Sequence, residues 1–138
     1  MAGSYPVLQL GPATYEVSAA VTGGQLVMVD TANAGKVKVA TIAADGLLVL
    51  GVALDDAVPT GSGSNLNFGT ARNRVAVAYG PAEVILKATG NVAFGEQVVC
   101  AALGTVASIA SGTFGQAVGR CTEPAGITGG STGRVRLA

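Results

Sequence analysis

Polar and apolar residues alternate along this chain in short stretches, and not at helical spacing. Lys36-Val37-Lys38-Val39 and Arg134-Val135-Arg136-Leu137 repeat with a period of two, as does Asn73-Arg74-Val75-Ala76-Val77-Ala78-Tyr79 with its alanines outward. That period sends successive side chains to opposite faces of an extended strand, one buried and one wet. Leu26–Val29, Leu47–Leu54, Val84–Leu86 and Val98–Ala102 are continuously apolar instead. Short runs of this kind, bounded by Gly or Asp and rich in β-branched residues, predict strands covered on both faces. Turn signals separate them: Thr22-Gly23-Gly24, Asn33-Ala34-Gly35, Asp45-Gly46, Gly61-Ser62-Gly63-Ser64, Gly80-Pro81 and Gly129-Gly130-Ser131-Thr132-Gly133. Asp-Gly and Asn-x-Gly supply the positive φ of tight turns. The pattern predicts nine or ten strands in an all-β fold, a small β-barrel or β-sandwich.

Aligning the glycines exposes an internal repeat. Val21–Val29 matches Val92–Cys100, Gly35-Lys36-Val37 matches Gly104-Thr105-Val106, and Val49–Ala57 matches Ala117–Ala125. The offset falls from 71 through 69 to 68 residues, so the copies differ in their loops. Each copy reads as turn, buried strand, Gly turn, strand, loop, and buried strand with a central Gly. Two pseudo-repeated halves of one β domain, residues 14–138, are therefore expected. Pro59–Thr70 and Glu123–Gly133 read as surface loops. Residues 1–13 read as an extended N-terminal arm: Pro6 and Pro12 oppose helix, and Val7-Leu8-Gln9-Leu10 is uncharged and strand-prone. Such an arm gains main-chain hydrogen bonds if it pairs with an exposed strand edge.

Composition narrows the chemistry. The chain has 138 residues, one domain's worth, of which 24 are Ala, 21 Gly and 19 Val. It has no His, which excludes a Ser-His-Asp triad, a Cys-His dyad and imidazole metal ligands. Eight basic and eight acidic residues leave no net charge, so the basic footprint of a nucleic-acid binder is missing. Gln97–Gly119 is uncharged, but Gly104, Gly112 and Gly115 break it, and it reads as strand, turn, strand rather than as a membrane span. Nothing resembles a signal peptide, and soluble localisation is expected. Cys100 and Cys121 stand opposite Val29 and Ala53 in the repeat, which favours two buried thiols over a disulfide or a metal site.

Few residues suggest chemistry. Asp55-Asp56 closes an apolar run, with Glu123 at the equivalent place; carboxylates so placed end strands more often than they bind Ca²⁺ or move protons. Gly61-Ser-Gly-Ser lacks the Lys-Ser/Thr and the helix of a phosphate loop. Lys36/Lys38, Arg72/Arg74 and Arg134/Arg136 each project from one strand face, either into solvent or toward an acidic partner. Gly95-Glu96-Gln97-Val98 followed by Gly104-Thr105-Val106 is similar to the pattern of lipoyl and biotinyl carrier domains, but the segment between contains no Lys to modify. No cofactor, metal ligand or catalytic residue is assigned.

The ordered set Gly24-Gln25-Leu26-Val27, Gly35-Lys36-Val37, Val49–Asp55, Gly95–Val98, Gly104-Thr105-Val106 and Val118-Gly119-Arg120 resembles the small tailed-bacteriophage proteins classed as capsid decoration, or cement, proteins. The resemblance runs from about residue 15 to the C-terminus; the tract Pro59–Lys87 and the N-terminal arm are longer than its pattern. It implies a non-enzymatic β protein that forms homotrimers, made in the bacterial cytoplasm. These would bind the major capsid protein outside an expanded icosahedral head, giving a virion location and a capsid-stabilising role. Neither nucleic acid nor membrane is expected as a partner. The candidate capsid contacts are Tyr5, Val7, Leu8 and Leu10 on the arm, with Arg72 and Arg74. The alternative is a small β-barrel that binds a sugar or another ligand in a fibre or adhesin.

Overall fold

The computed structural model describes residues 12–59 and 72–138, and that part of the chain carries ten strands and no α-helix. In the first half these are β1 (Ala13–Val17), β2 (Leu26–Val29), β3 (Lys36–Val39), β4 (Val49–Ala53) and β5 (Arg74–Ala78). In the second they are β6 (Glu83–Lys87), β7 (Gln97–Ala101), β8 (Thr105–Ser108), β9 (Ala117–Cys121) and β10 (Thr132–Leu137). The fold is all-β, as the period of two requires. β1 begins one residue before the predicted domain boundary. The rest of the predicted arm, up to residue 11, and the tract 60–71 lie outside the described residues.

The first five strands close into a barrel in the order β1-β3-β2-β4-β5, with β1 antiparallel to β5 and parallel to β3. The other five form an open sheet in the order β6-β10-β9-β7-β8, whose edges meet at a single parallel bridge, Ala88 to Val106. Read from β3, the first order is β3-β2-β4-β5-β1; the second, read from β8, is β8-β7-β9-β10-β6. The repeat is thus also a repeat of topology. Its details coincide: the β2–β4 register slips between Val27 and Met28, and the β7–β9 register between Val98 and Val99. The bridges that follow agree less closely: Val21 bridges Ala57, whereas Val92 bridges Ile127, two residues beyond the sequence counterpart Ala125.

Packing explains both kinds of hydrophobic pattern. Val17, Val27, Val37, Val75 and Val77 point into the closed barrel and are at most 1% exposed. On the opposite face of the same strands, Leu26, Met28 and Val52, with Ala40, join a cluster with Leu86, Val98, Val106, Cys121 and Val135 of the second half. β2 and β4 are covered on both faces because the second half packs on them, and this is why their sequences are continuously apolar. β5 and β10 keep strict alternation, with arginines outward on β10 and at the start of β5.

Two expectations need correction. The run Leu47–Leu54 is not one buried strand: Ala43–Leu48 forms a 3-10 segment, and Leu47 is 73% exposed. Asp45 bends the chain there, its carboxylate accepting the N–H groups of Thr41 and Ile42. Nor does Gly46 supply a positive φ; a Cβ on it would overlap the Gln116 carbonyl oxygen, so it marks a close approach of the two halves. Val84–Leu86 is likewise covered on one side only. Leu86 is buried and Ile85 exposed, because β6 lies at the edge of the open sheet.

Candidate interaction surface

The carboxylates singled out in the sequence are engaged with the backbone. Asp55 Oδ1 accepts the Ala76 N–H at 3.0 Å, and its Oδ2 pairs with Arg72 at 3.0 Å. Glu123 Oε2 accepts the Arg134 N–H at 3.2 Å, the same strand-to-strand tie in the second half. Asp56 Oδ1 accepts the Gly23 N–H at 2.8 Å. These groups terminate strands and lock turns, as the bland sequence reading has it. No cluster of three or more potential metal ligands occurs among the described residues.

The paired cations are largely neutralised within the chain. Lys36 meets Glu16 at 3.1 Å, Lys38 meets Asp30 at 3.9 Å, and Arg134 and Arg136 flank Glu83 at 3.9 and 3.8 Å. The exposed pairs among these, Lys36–Glu16 and the two on Glu83, contribute at most about 1 kcal/mol each. On β3 the ion pairs balance both lysines, whereas on β10 two arginines share the single carboxylate of Glu83, and that face stays net positive beside Arg120. Of the predicted contact residues, Arg72 is tied to Asp55, while Arg74 is exposed and makes no ion pair among the described residues. Tyr5, Val7, Leu8 and Leu10 lie outside the described residues.

Asp30 is the one buried charged side chain among the described residues. It organises the β2–β3 loop by accepting from Ser18 Oγ at 2.5 Å, Asn33 Nδ2 at 2.8 Å and the Ala32 N–H at 2.9 Å. Those bonds, Ser18 foremost, lower its pKa from 3.8 to about 2 against the opposing effect of burial. The folded carboxylate takes up a proton less readily than the unfolded one. Its contribution is therefore complete above about pH 4 and is lost as the pH falls toward about 2. The stability gap between the natural chain and Asp30→Asn should narrow between about pH 5 and pH 2 in urea unfolding. A gap independent of pH would show that the charge contributes nothing.

Both cysteines are buried and free. Burial, and secondarily the Asp45 charge, pushes the Cys100 thiol up to about 12. It is protonated at neutral pH and is no nucleophile. Cys100 and Cys121 act as small core hydrophobes.

The repeat makes the remaining surface informative. In the first half, Leu26 is fully buried beneath the second. Its counterpart Gln97 instead lines an open groove of about 500 Å³ with Phe114, Ala117, Arg120, Thr122 and Leu137. Phe114 is 77% exposed there. Gln97 Oε1 and Thr122 Oγ1 are buried and have no hydrogen-bond partner among the described residues. Each such atom costs about 1–3 kcal/mol unless something binds it. A second apolar recess of about 490 Å³ lies between the halves, where Ile85 and Leu103 are exposed beside Lys87. Leu103 has φ 59°, a left-handed conformation uncommon for a branched side chain. The sequence reading missed this groove. Its one signal was a Gln at the position where the other copy has a core Leu.

No family model matches the chain, and no curated protein matches it.

Proposed function

We propose that the chain is a structural virion protein: a homotrimer that binds the major capsid protein on the outside of a tailed-phage head and stabilises the expanded shell. The observation that carries this reading is the ordered set of Gly-anchored blocks resembling the decoration proteins. The blocks fall on equivalent turns and strands of the two halves, which supports a rigid, duplicated β module. Carboxylates tied to backbone N–H groups and an unreactive Cys100 support a role without catalysis. A binder that prefers the mature shell stabilises it by RT ln(1 + [L]/Kd) at every site, and about 1–3 kcal/mol repeated over hundreds of sites opposes the internal pressure of packaged DNA.

Sedimentation with emptied, expanded heads of the cognate phage tests the reading. The purified chain should pellet with them to a saturating ratio. Removing residues 2–12 should weaken binding tenfold or more, about 1.4 kcal/mol, if the N-terminal residues carry attachment. Heads that remain bare would refute the decoration role. Phe114, an exposed aromatic beside Gln97 and Arg120, favours the second reading, a sugar- or ligand-binding domain of a fibre or adhesin. Glycan binding without head binding would establish that one instead.

A further inference from the structure

The exposed face of the open sheet gathers cations. Along one row across it, Gln97 of β7 stands opposite Arg120 of β9, Arg120 opposite Arg136 of β10, and Arg136 opposite Glu83 of β6. Arg134 lies two residues along β10 and Lys87 at the end of β6, both exposed on the same face. These four are all the basic residues that follow Arg74, half of the chain's eight. Of the three acidic side chains in the same half, Glu83 alone forms ion pairs with them. Glu96 is turned onto Ser108 and the Ala93 N–H, and Glu123 onto the Arg134 N–H. Arg120 is exposed and has no ion-pair partner among the described residues.

The repeat shows that this face is not a plain copy of its twin. Leu26 stands opposite Val52 in the first half as Gln97 stands opposite Arg120 in the second. Leu26 and Val52 are buried against the second half, whereas Gln97 and Arg120 line the open groove of about 500 Å³ that Phe114 flanks. Solvation alone does not require arginine there. Like charges directly opposite one another destabilise a sheet, and residues so placed have Cα atoms only about 4.5–5.5 Å apart. A carboxylate between Arg120 and Arg136 turns that repulsion into two charge-assisted pairs, since each planar guanidinium offers it parallel N–H donors. Phe114, exposed beside them, offers apolar contact, and arginine with aromatic residues is the usual make-up of a protein-binding patch. Strands spaced about 4.8 Å apart make the row from Gln97 to Arg136 about 10 Å long, the reach of three extended residues.

We propose that this face docks an acidic segment of a partner protein, with a carboxylate of the segment held between Arg120 and Arg136 and an apolar neighbour laid against Phe114. The proposal rests on the decoration reading, in which the partner is the major capsid protein, and names the chemistry by which that partner is held. The chain as a whole is uncharged, so the attraction belongs to this face.

Two measurements test the site: sedimentation with expanded heads of the cognate phage at rising salt, and fluorescence anisotropy with a labelled peptide of alternating Glu and Phe. They compare the natural chain, Arg120→Gln/Arg136→Gln, and Lys36→Gln/Lys38→Gln, which removes the same charge from β3. The natural chain and the β3 variant should bind heads and peptide alike, less tightly as salt rises. The arginine variant should bind both more weakly by about tenfold or more. Its far-UV spectrum should be unchanged and its urea midpoint unchanged or raised, because a like-charge pair has been removed. If the natural chain pellets with heads and the arginine variant does so equally, or the β3 variant loses as much, the acidic-segment site is wrong while the decoration role stands. A lowered urea midpoint in the arginine variant would assign the pair to the sheet and also overturn the site. Heads left bare by the natural chain refute the decoration role; the site then stands if the peptide binds and the arginine variant loses it, and falls if the peptide does not bind. Tighter binding of a uronic-acid oligosaccharide of equal charge, lost in the arginine variant, would give the groove to a glycan and overturn the acidic segment.

Discussion

Gly119→Val is expected to destabilise the chain by about 3 kcal/mol or more and to lower its thermal midpoint by about 10 °C. Gly119 sits in the middle of β9, where a Cβ would overlap the Arg136 carbonyl oxygen of β10 and lie 3.1 Å from Val135 Cγ1. Gly51 holds the equivalent place in β4, where a Cβ would overlap the Ala78 carbonyl oxygen of β5 and lie 2.9 Å from Val77 Cγ1. In both, the obstacle is backbone of the neighbouring strand, which cannot swing aside as a side chain can. Gly51→Val should therefore behave in the same way, and alanine should suffice at either position to produce part of the loss. Gly90→Ala and Gly115→Ala provide the contrast. Neither glycine has a positive φ, and a Cβ on either meets nothing within 4 Å. These changes should be neutral or stabilise by about 0.4–1 kcal/mol through the unfolded chain. Thermal and urea unfolding of the four variants would check the ranking. Equal effects at all four positions would show that the close approach of strands is not what selects glycine at 51 and 119.

The second large effect is expected from exchanging a residue between the two copies. Leu26→Gln installs the side chain that its counterpart carries. Leu26 is fully buried in the cluster shared by the two halves. The change removes apolar contact there and buries an amide with no designed partner. A cost of about 3–5 kcal/mol is expected, with loss of cooperative unfolding if the halves come apart. The reverse exchange, Gln97→Leu, removes the unpaired Oε1 and should leave the single chain unchanged or more stable by about 1 kcal/mol. Urea denaturation of both variants measures the difference. Similar losses from both would mean that the two positions are covered alike and that the asymmetry of the halves is not real.

These contrasts mark the limit of reading from sequence. The all-β class, most strand positions and the duplication were legible because each depends on local pattern. A period of two fixes which side chains share a face, and Gly24/Gly95 and Gly35/Gly104 recur because equivalent turns need positive φ. The structural role of Asp55 and Glu123 was legible for the same reason, since their partners Ala76 and Arg134 stand at equivalent places on the neighbouring strands. The candidate contacts fared less evenly. Arg72 carries an ion pair that spacing alone does not reveal; Glu16 and Asp30 neutralise the basic face of β3, and Glu83 offsets one of the two arginines of β10.

By itself, then, the sequence determined a duplicated β chain with small-residue turns, buried thiols and no imidazole chemistry, because backbone geometry and residue type act locally. Only the tertiary structure decided that one copy closes into a barrel and the other stays open, since closure depends on whether edge strands separated by many residues meet along their length or at a single bridge. It also decided that Leu26 is core and that Gln97 is half-buried at the edge of a groove. The second half covers Leu26 and Met28 together, whereas on the equivalent face of β7 Val99 is buried and Gln97 is left lining a groove, because the two copies do not cover each other's equivalent faces alike.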